Sequence, residues 1–320
     1  MKWAFSLFFL AVFVSIALHV HRVSGDAKIS KTINVNLDGT GDFKTIQEAI
    51  GSVPANNGEW IRIHISAGVS CREKVYVQEH RGFILLEGDG RENTVIEWAD
   101  YAGDAEKHDT VSSATFTSRA HNFVAKKITF KNSAGAVGPA VAAMIRGNHS
   151  AIYDCGFIGL QDTLYDQRGL HYYKDCYIEG AVDFIFGDGQ SIYEGCTIYT
   201  KHQSGFVTAQ QRQGPTEGNG FVFRYCNVTG TQKAELGRAW GPYARVIFYE
   251  TFMSDIVNPE GWNAWNSKEE DLTFVEFRCT GPGSNTSHRV NWMKKLSPAK
   301  LKKFTDITYI DSEGWISAQP

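Results

Sequence analysis

The sequence predicts an all-β fold, a parallel β-helix of about 20 residues per coil with short capping helices at the ends, and three observations carry that prediction. Four cysteines occupy one repeating frame: "YDCGFIG" at Cys155, "KDCYIEG" at Cys176, "EGCTIYT" at Cys196 and "RYCNVTG" at Cys226, each followed two residues later by Phe, Ile or Val. Their first two intervals, 21 and 20 residues, are the period of a stacked supersecondary unit. Between about residue 60 and residue 280 the chain alternates short runs rich in Ile, Val, Phe and Tyr with Gly, Asn and Asp turns, and no amphipathic helical pattern interrupts them. Parallel strands joined this tightly cannot be ordinary strand-helix-strand units, so the chain must coil as a solenoid.

The elements follow in order. Residues 1–25 carry Lys2, an apolar stretch from Trp3 to Leu18 and the small residues Ser24 and Gly25, the pattern of a cleaved signal peptide. That stretch is short for a membrane span of roughly 20 residues, so the mature chain is expected to be exported, with no membrane attachment. Residues 26–320 show no Pro/Gly/Ser-rich or strongly charged linker and read as one domain. "DFKTIQEAIGSV" from Asp42 reads as a helix with the acid as N-cap, and "SPAKLKKF" from Ser297 as a second, with Ser at the N-cap and Pro in the first turn. The third cysteine interval, 30 residues, requires an insertion, placed at "QRQGPTEGNG". Most cysteines are expected to form an internal ladder of small apolar groups, with a Cys176–Cys196 disulfide as the alternative. Export agrees with sequons at Asn148, Asn227 and Asn285, candidate glycosylation sites. A formal net charge of −3 argues against a nucleic-acid partner.

The repeat also orders the acids. Asp162 precedes Asp183 by 21 residues, the interval between Cys155 and Cys176. Stacked on neighbouring coils, the two carboxylates would lie about 4.8 Å apart along the axis. Like charges that close share a proton, so one becomes an acid and the other a nucleophile or base. Strict strand alternation in "GAVDFIFG" puts Asp183 on the side of Ala181 and Ile185, opposite Val182, Phe184 and Phe186. Gln161 offers an amide to a developing oxyanion, Arg238 can fork onto Asp183, and Trp240 can present a flat ring to a sugar. An acid pair, an amide, an Arg and an aromatic platform on a long groove suit a linear polysaccharide. Ester hydrolysis through an Asp nucleophile and retaining glycoside cleavage both remain open on these grounds.

The stretches "GTGDFKTIQEAI", "SSAT", "ITFKNSAG", "LQDTLY", "EGAVDFIFG", "GRAWGPYARVIFYE" and "NPEGWNAWN" closely resemble the plant-type pectin methylesterases over nearly the whole mature chain. The resemblance implies a right-handed β-helix that hydrolyses methyl esters of homogalacturonan in the cell wall, without metal or cofactor. It implies Asp183 as nucleophile, Asp162 as acid and then base, Gln161 as oxyanion stabiliser, and Thr115, Phe186, Arg238 and Trp240 at the substrate. The partners it implies are methyl-esterified homogalacturonan and, as a further possibility, an inhibitor protein; a monomer is the simplest expectation. The inhibitor-like pro-region of some relatives is not expected here. Two departures stand out. Pro139 in "GPAVAAMI" stands where the family usually has a Gln that assists catalysis, and proline has neither a side-chain amide nor a backbone N–H. Leu170 stands where many relatives carry Arg, which bears on substrate charge preference. Pro139 therefore leaves a second reading, a pectin-binding wall protein with weak or no turnover.

Overall fold

Each turn of the chain lays down three strands, one on each of three parallel sheets: a first of ten strands that includes Ser150–Tyr153, a second of eight that includes Gly156–Ile158 and a third of eight that includes Val182–Gly187. The computed structural model describes residues 27–67 and 69–320; the expected signal peptide lies outside them. Ser150 pairs with His171, 21 residues on, and Leu170 with Gln190, 20 residues on. That short period holds only in the middle of the molecule. Ile84 pairs with Phe123, 39 residues on, because a long loop before Phe116 enlarges that coil. The 30-residue interval is split as well: Gly180 pairs with Thr200, 20 on, but Val182 pairs with Phe206, 24 on. Part of the insertion therefore enters at 201–204, and the rest forms the expected loop at 211–219.

The corner between the first and second sheets explains the cysteine frame. Asp154, Asp175 and Tyr225, each directly before a cysteine, take φ of 49°, 55° and 57°. This left-handed conformation, which Asp tolerates better than most residues, turns the chain and drives the next side chain inward. Cys155, Cys176, Cys196 and Cys226 are thus buried in the core. The Cys176 Sγ–H points at Ile152 O (3.5 Å) and that of Cys196 at Tyr173 O (3.5 Å), each on the preceding coil. All six cysteines are free thiols, so the ladder forms and the Cys176–Cys196 disulfide does not. Beside them Tyr173, Tyr193, Phe223 and Phe248 stack with centroids 4.5, 4.5 and 4.6 Å apart, close to the spacing of the strands that carry them.

The helices differ in part from expectation. Ile46–Ser52 closes one end of the coil with Ile46, Ala49 and Ile50, but Thr45 is its N-cap, accepting from Glu48 N–H. Asp42 instead accepts from the backbone N–H of Asn34 at 2.8 Å, in the first strand. Pro298–Thr305 does start at Ser297, yet it covers a flank rather than an end. Its Leu301 packs with Tyr172, Val222 and Ile247 on the outer face of the ten-stranded sheet, because that face is apolar and would otherwise meet water.

Burial pushes the thiols of Cys155, Cys176 and Cys196 well above the ordinary range and that of Cys71 up to about 12. The folded protein should therefore react negligibly with iodoacetamide, whereas the denatured, unreduced protein should yield all six thiols. Fewer than six thiols in denaturant would contradict the ladder.

Candidate active site

The third sheet carries a cleft of about 550 Å³ on its outer face. Tyr165, Phe186 and Ala209 line its floor, and they belong with Ala114, Val141 and Met144 to an apolar cluster outside the main core. Met144, Tyr165, Phe186, Ala209 and Arg238 stand in register on successive strands. Tyr165 and Phe186 stack at 4.3 Å with 16° between their planes. Beneath the floor, Asp166 is fully buried: it accepts from the Tyr193 hydroxyl at 2.6 Å and meets Nδ1 of His171, whose Nε2–H donates to Gly147 O at 3.0 Å. This polar clamp fixes the strand end that carries Tyr165.

Gln161 pairs with Val182 and Leu164 with Ile185, so Asp162 and Asp183 are opposed on neighbouring coils, as the 21-residue interval requires. Both line the cleft. The expected alternation fails at Asp183, however. Its φ is 50° and the register shifts between Val182 and Ile185. This bulge lets Phe184 and Ile185 both enter the core, while Asp183 shares the cleft with Phe186. Asp162 has a similar left-handed φ, 62°.

The two acids sit in different surroundings. Asp183, 6 % exposed, is held by Arg238, whose Nε donates to Oδ1 at 2.8 Å and whose second N–H group donates to Oδ2. Burial raises the Asp183 carboxyl, and the hydrogen bonds and charge of Arg238 oppose that rise. Asp162 has no such fork. Burial, and then the charge of Asp183, push its carboxyl up to about 7, with Arg238 only partly offsetting them. One carboxyl is thus held by a cation, while the other keeps its proton near neutral pH.

Gln161 and Trp240 also line the cleft; Trp240 is 39 % exposed, with its ring 5.9 Å from that of Phe186. Thr115 does not line it. It is fully buried, and its hydroxyl donates to Lys131 O at 3.0 Å, so it ties the third sheet to the second. Pro139 forms a bridge with Gln161, one coil before the acid pair, and its carbonyl accepts from Ala102 N–H. Leu170 does not line the cleft, and its N–H donates to Asn148 Oδ1 at 2.9 Å. Asn227 and Asn285 are exposed and Asn148 is half-buried.

Sequence reasoning missed Trp265, Gln211, Tyr165 and the wall formed by Asp109, Thr110 and Val111. Trp265 is the most consequential: the Arg238 guanidinium lies 3.8 Å from its ring centroid and 4.5 Å from that of Phe206. "GWNAWN" contains two tryptophans, and only packing separates buried Trp262 from exposed Trp265. Among the described residues one set of potential metal ligands converges, Asp100, Asp104 and His108. His108 already meets Asp104 at 2.7 Å and Lys74 meets Asp100 at 2.5 Å, so these atoms are engaged with one another, and the set does not line the cleft.

A pectinesterase family model matches residues 32–313. The chain is 48% identical over 309 residues to a protein of Arabidopsis thaliana named as pectinesterase 10, covering 92% of this chain and 89% of that one. It is 45% identical over 304 residues to one named as pectinesterase 55, covering 89% and 90%. Among solved structures, pectin methylesterase from carrot superposes with a TM-score of 0.86 at 32% identity, covering 92% of this chain and 98% of that one. The coil is accordingly the right-handed β-helix of these enzymes. The chain belongs to the pectinesterase family and is a carboxylic ester hydrolase acting on pectin.

Proposed function

We propose that this chain, exported to the cell wall, demethylates homogalacturonan with Asp183 as nucleophile and Asp162 as acid and base. The Asp183 carboxylate attacks the ester carbonyl carbon of a galacturonate, and Gln161 donates to the oxyanion. The carbon–methoxy bond breaks as Asp162 gives its proton to the leaving methanol, which leaves an acyl-enzyme anhydride. Asp162, now a base, takes a proton from water, and the hydroxide attacks the anhydride carbonyl. Galacturonate is released and both acids return to their starting states. Arg238 keeps Asp183 ionised and aimed, while Phe186, Trp240 and Trp265 offer apolar faces to the sugar chain. The observation that carries this reading is the inequality of two opposed acids, one forked by Arg238 and the other pushed up to about 7.

A second reading, pectin binding with weak turnover, is favoured by one observation. Pro139 borders Gln161 and brings no amide, which leaves Gln161 and Gln211 as the side-chain amides that line the cleft among the described residues. Methanol release from methylated pectin tests both readings. Asp183→Ala should lower the rate by at least about 10³-fold. Pro139→Gln should raise it by up to about 10²-fold if a missing oxyanion donor limits the wild type. Wild-type release equal to that of Asp183→Ala would sink the enzymatic assignment of these residues. Strong pectin affinity without methanol would favour the second reading.

Asp162 also makes stability depend on pH. An unfolded Asp titrates near 3.9 and the folded one near 7, so between these values the folded state keeps a proton that the unfolded chain has lost. Its contribution therefore falls as pH rises through that window. Asp162→Asn should be more stable than wild type by about 1–2 kcal/mol near pH 8 and nearly equal to it near pH 4, read from denaturant midpoints. Equal midpoints near pH 8 would show that Asp162 ionises without cost.

A further inference from the structure

The loop that enlarges the coil between Ile84 and Phe123 brings Asp109, Thr110 and Val111 to the cleft as one of its walls. Asp109 is held in place by a neutral partner. Its Oδ1 accepts from Ser112 N–H at 2.6 Å and from the Ser112 hydroxyl at 2.7 Å. Those hydrogen bonds hold its carboxyl below the usual range, so it is charged near neutral pH.

The other charges at the cleft cancel or vanish. Asp183 is matched by Arg238, and Asp162 is protonated below about pH 7. Lys74, which reaches Ser112 O, is committed to Asp100. Among the described residues, no Lys, Arg or His lies within ion-pairing distance of Asp109. One uncompensated negative charge therefore borders the cleft, beside Val111, which is 37 % exposed.

The substrate's own charge changes as the reaction proceeds. A methyl-esterified galacturonate is neutral, whereas each hydrolysed unit carries a carboxylate. Building on the activity proposed above, we infer that Asp109 is a specificity-determining residue: it excludes a demethylated unit from the subsite along the Asp109–Val111 wall and admits a methyl-esterified one. The methyl ester can rest on Val111, while a carboxylate there meets a like charge with no cation to bridge it. The cleft therefore favours densely esterified stretches and disengages where carboxylates accumulate.

The test uses the mature protein, Asp109→Asn and Asp109→Glu. Initial methanol rates are measured on densely and sparsely methyl-esterified homogalacturonan, and affinity is measured for a fully demethylated oligogalacturonate, which is not turned over. Asn preserves the Oδ1 acceptor for Ser112 and removes only the charge. Asp109→Asn should shift kcat/KM toward the sparsely esterified polymer by about two- to fivefold and tighten the demethylated oligomer by a similar factor. Both shifts should fade with salt as the Debye length shortens from about 10 Å at 0.1 M to about 3 Å at 1 M. Asp109→Glu should keep the wild-type preference. An unchanged preference and affinity in Asp109→Asn, or an equal loss on both polymers, would overturn the inference. If the wild type releases no methanol from either polymer, the activity reading falls, and the oligomer affinities alone decide the role of Asp109.

Discussion

Coil-to-coil register is the constraint on which the rest of this structure depends. A parallel ladder admits little slippage here because each coil has an inner face to bury, and a one-residue shift would send that face to solvent. The inner face is set by repeated corners: a left-handed residue, then a cysteine or other small side chain, then an apolar residue that fills the core. Once the corners are aligned, everything else on a coil is aligned too. Aromatic rings stack on aromatic rings, and Asp162 comes to lie against Asp183.

That alignment creates an electrostatic problem which the fold resolves asymmetrically. Two acids on adjacent strands destabilise one another, and burial adds to the cost. Arg238, reaching from the strand Ala234–Ala239, compensates only one of them. The guanidinium is held in turn against Phe206 and Trp265, so its aim does not rest on the ion pair alone. The uncompensated partner, Asp162, is therefore the group that holds a proton near neutrality. Two chemically identical side chains thus acquire different proton affinities from their surroundings.

The loops contribute what the repeat cannot. The short coils carry Asp162 and Asp183, while longer coils before and after them raise walls: residues 109–111 on one side, and Gln211, Trp240 and Trp265 among the others. Insertions are tolerated there because only the strands must remain in register. The acid pair thus sits on the periodic part of the molecule, and much of the cleft's wall comes from its irregular part.

The solenoid, the cysteine frame and the opposition of Asp162 and Asp183 were legible in the chain because each follows from a fixed interval, and Arg238 was legible from charge alone as a candidate partner of Asp183, while the free thiols decided between ladder and disulfide. Tertiary structure decided what an interval cannot encode. The bulge at Asp183 broke the alternation that placed Ile185 beside it, since a left-handed residue resets the two-residue period. Thr115 proved to be a buried tie to Lys131, and Leu170 fell outside the cleft, because motif position does not say which way a side chain points. Asp109 and Trp265 were invisible for a related reason: they reach the cleft by the path of a loop and by the packing of one tryptophan rather than another, and neither has a period to read.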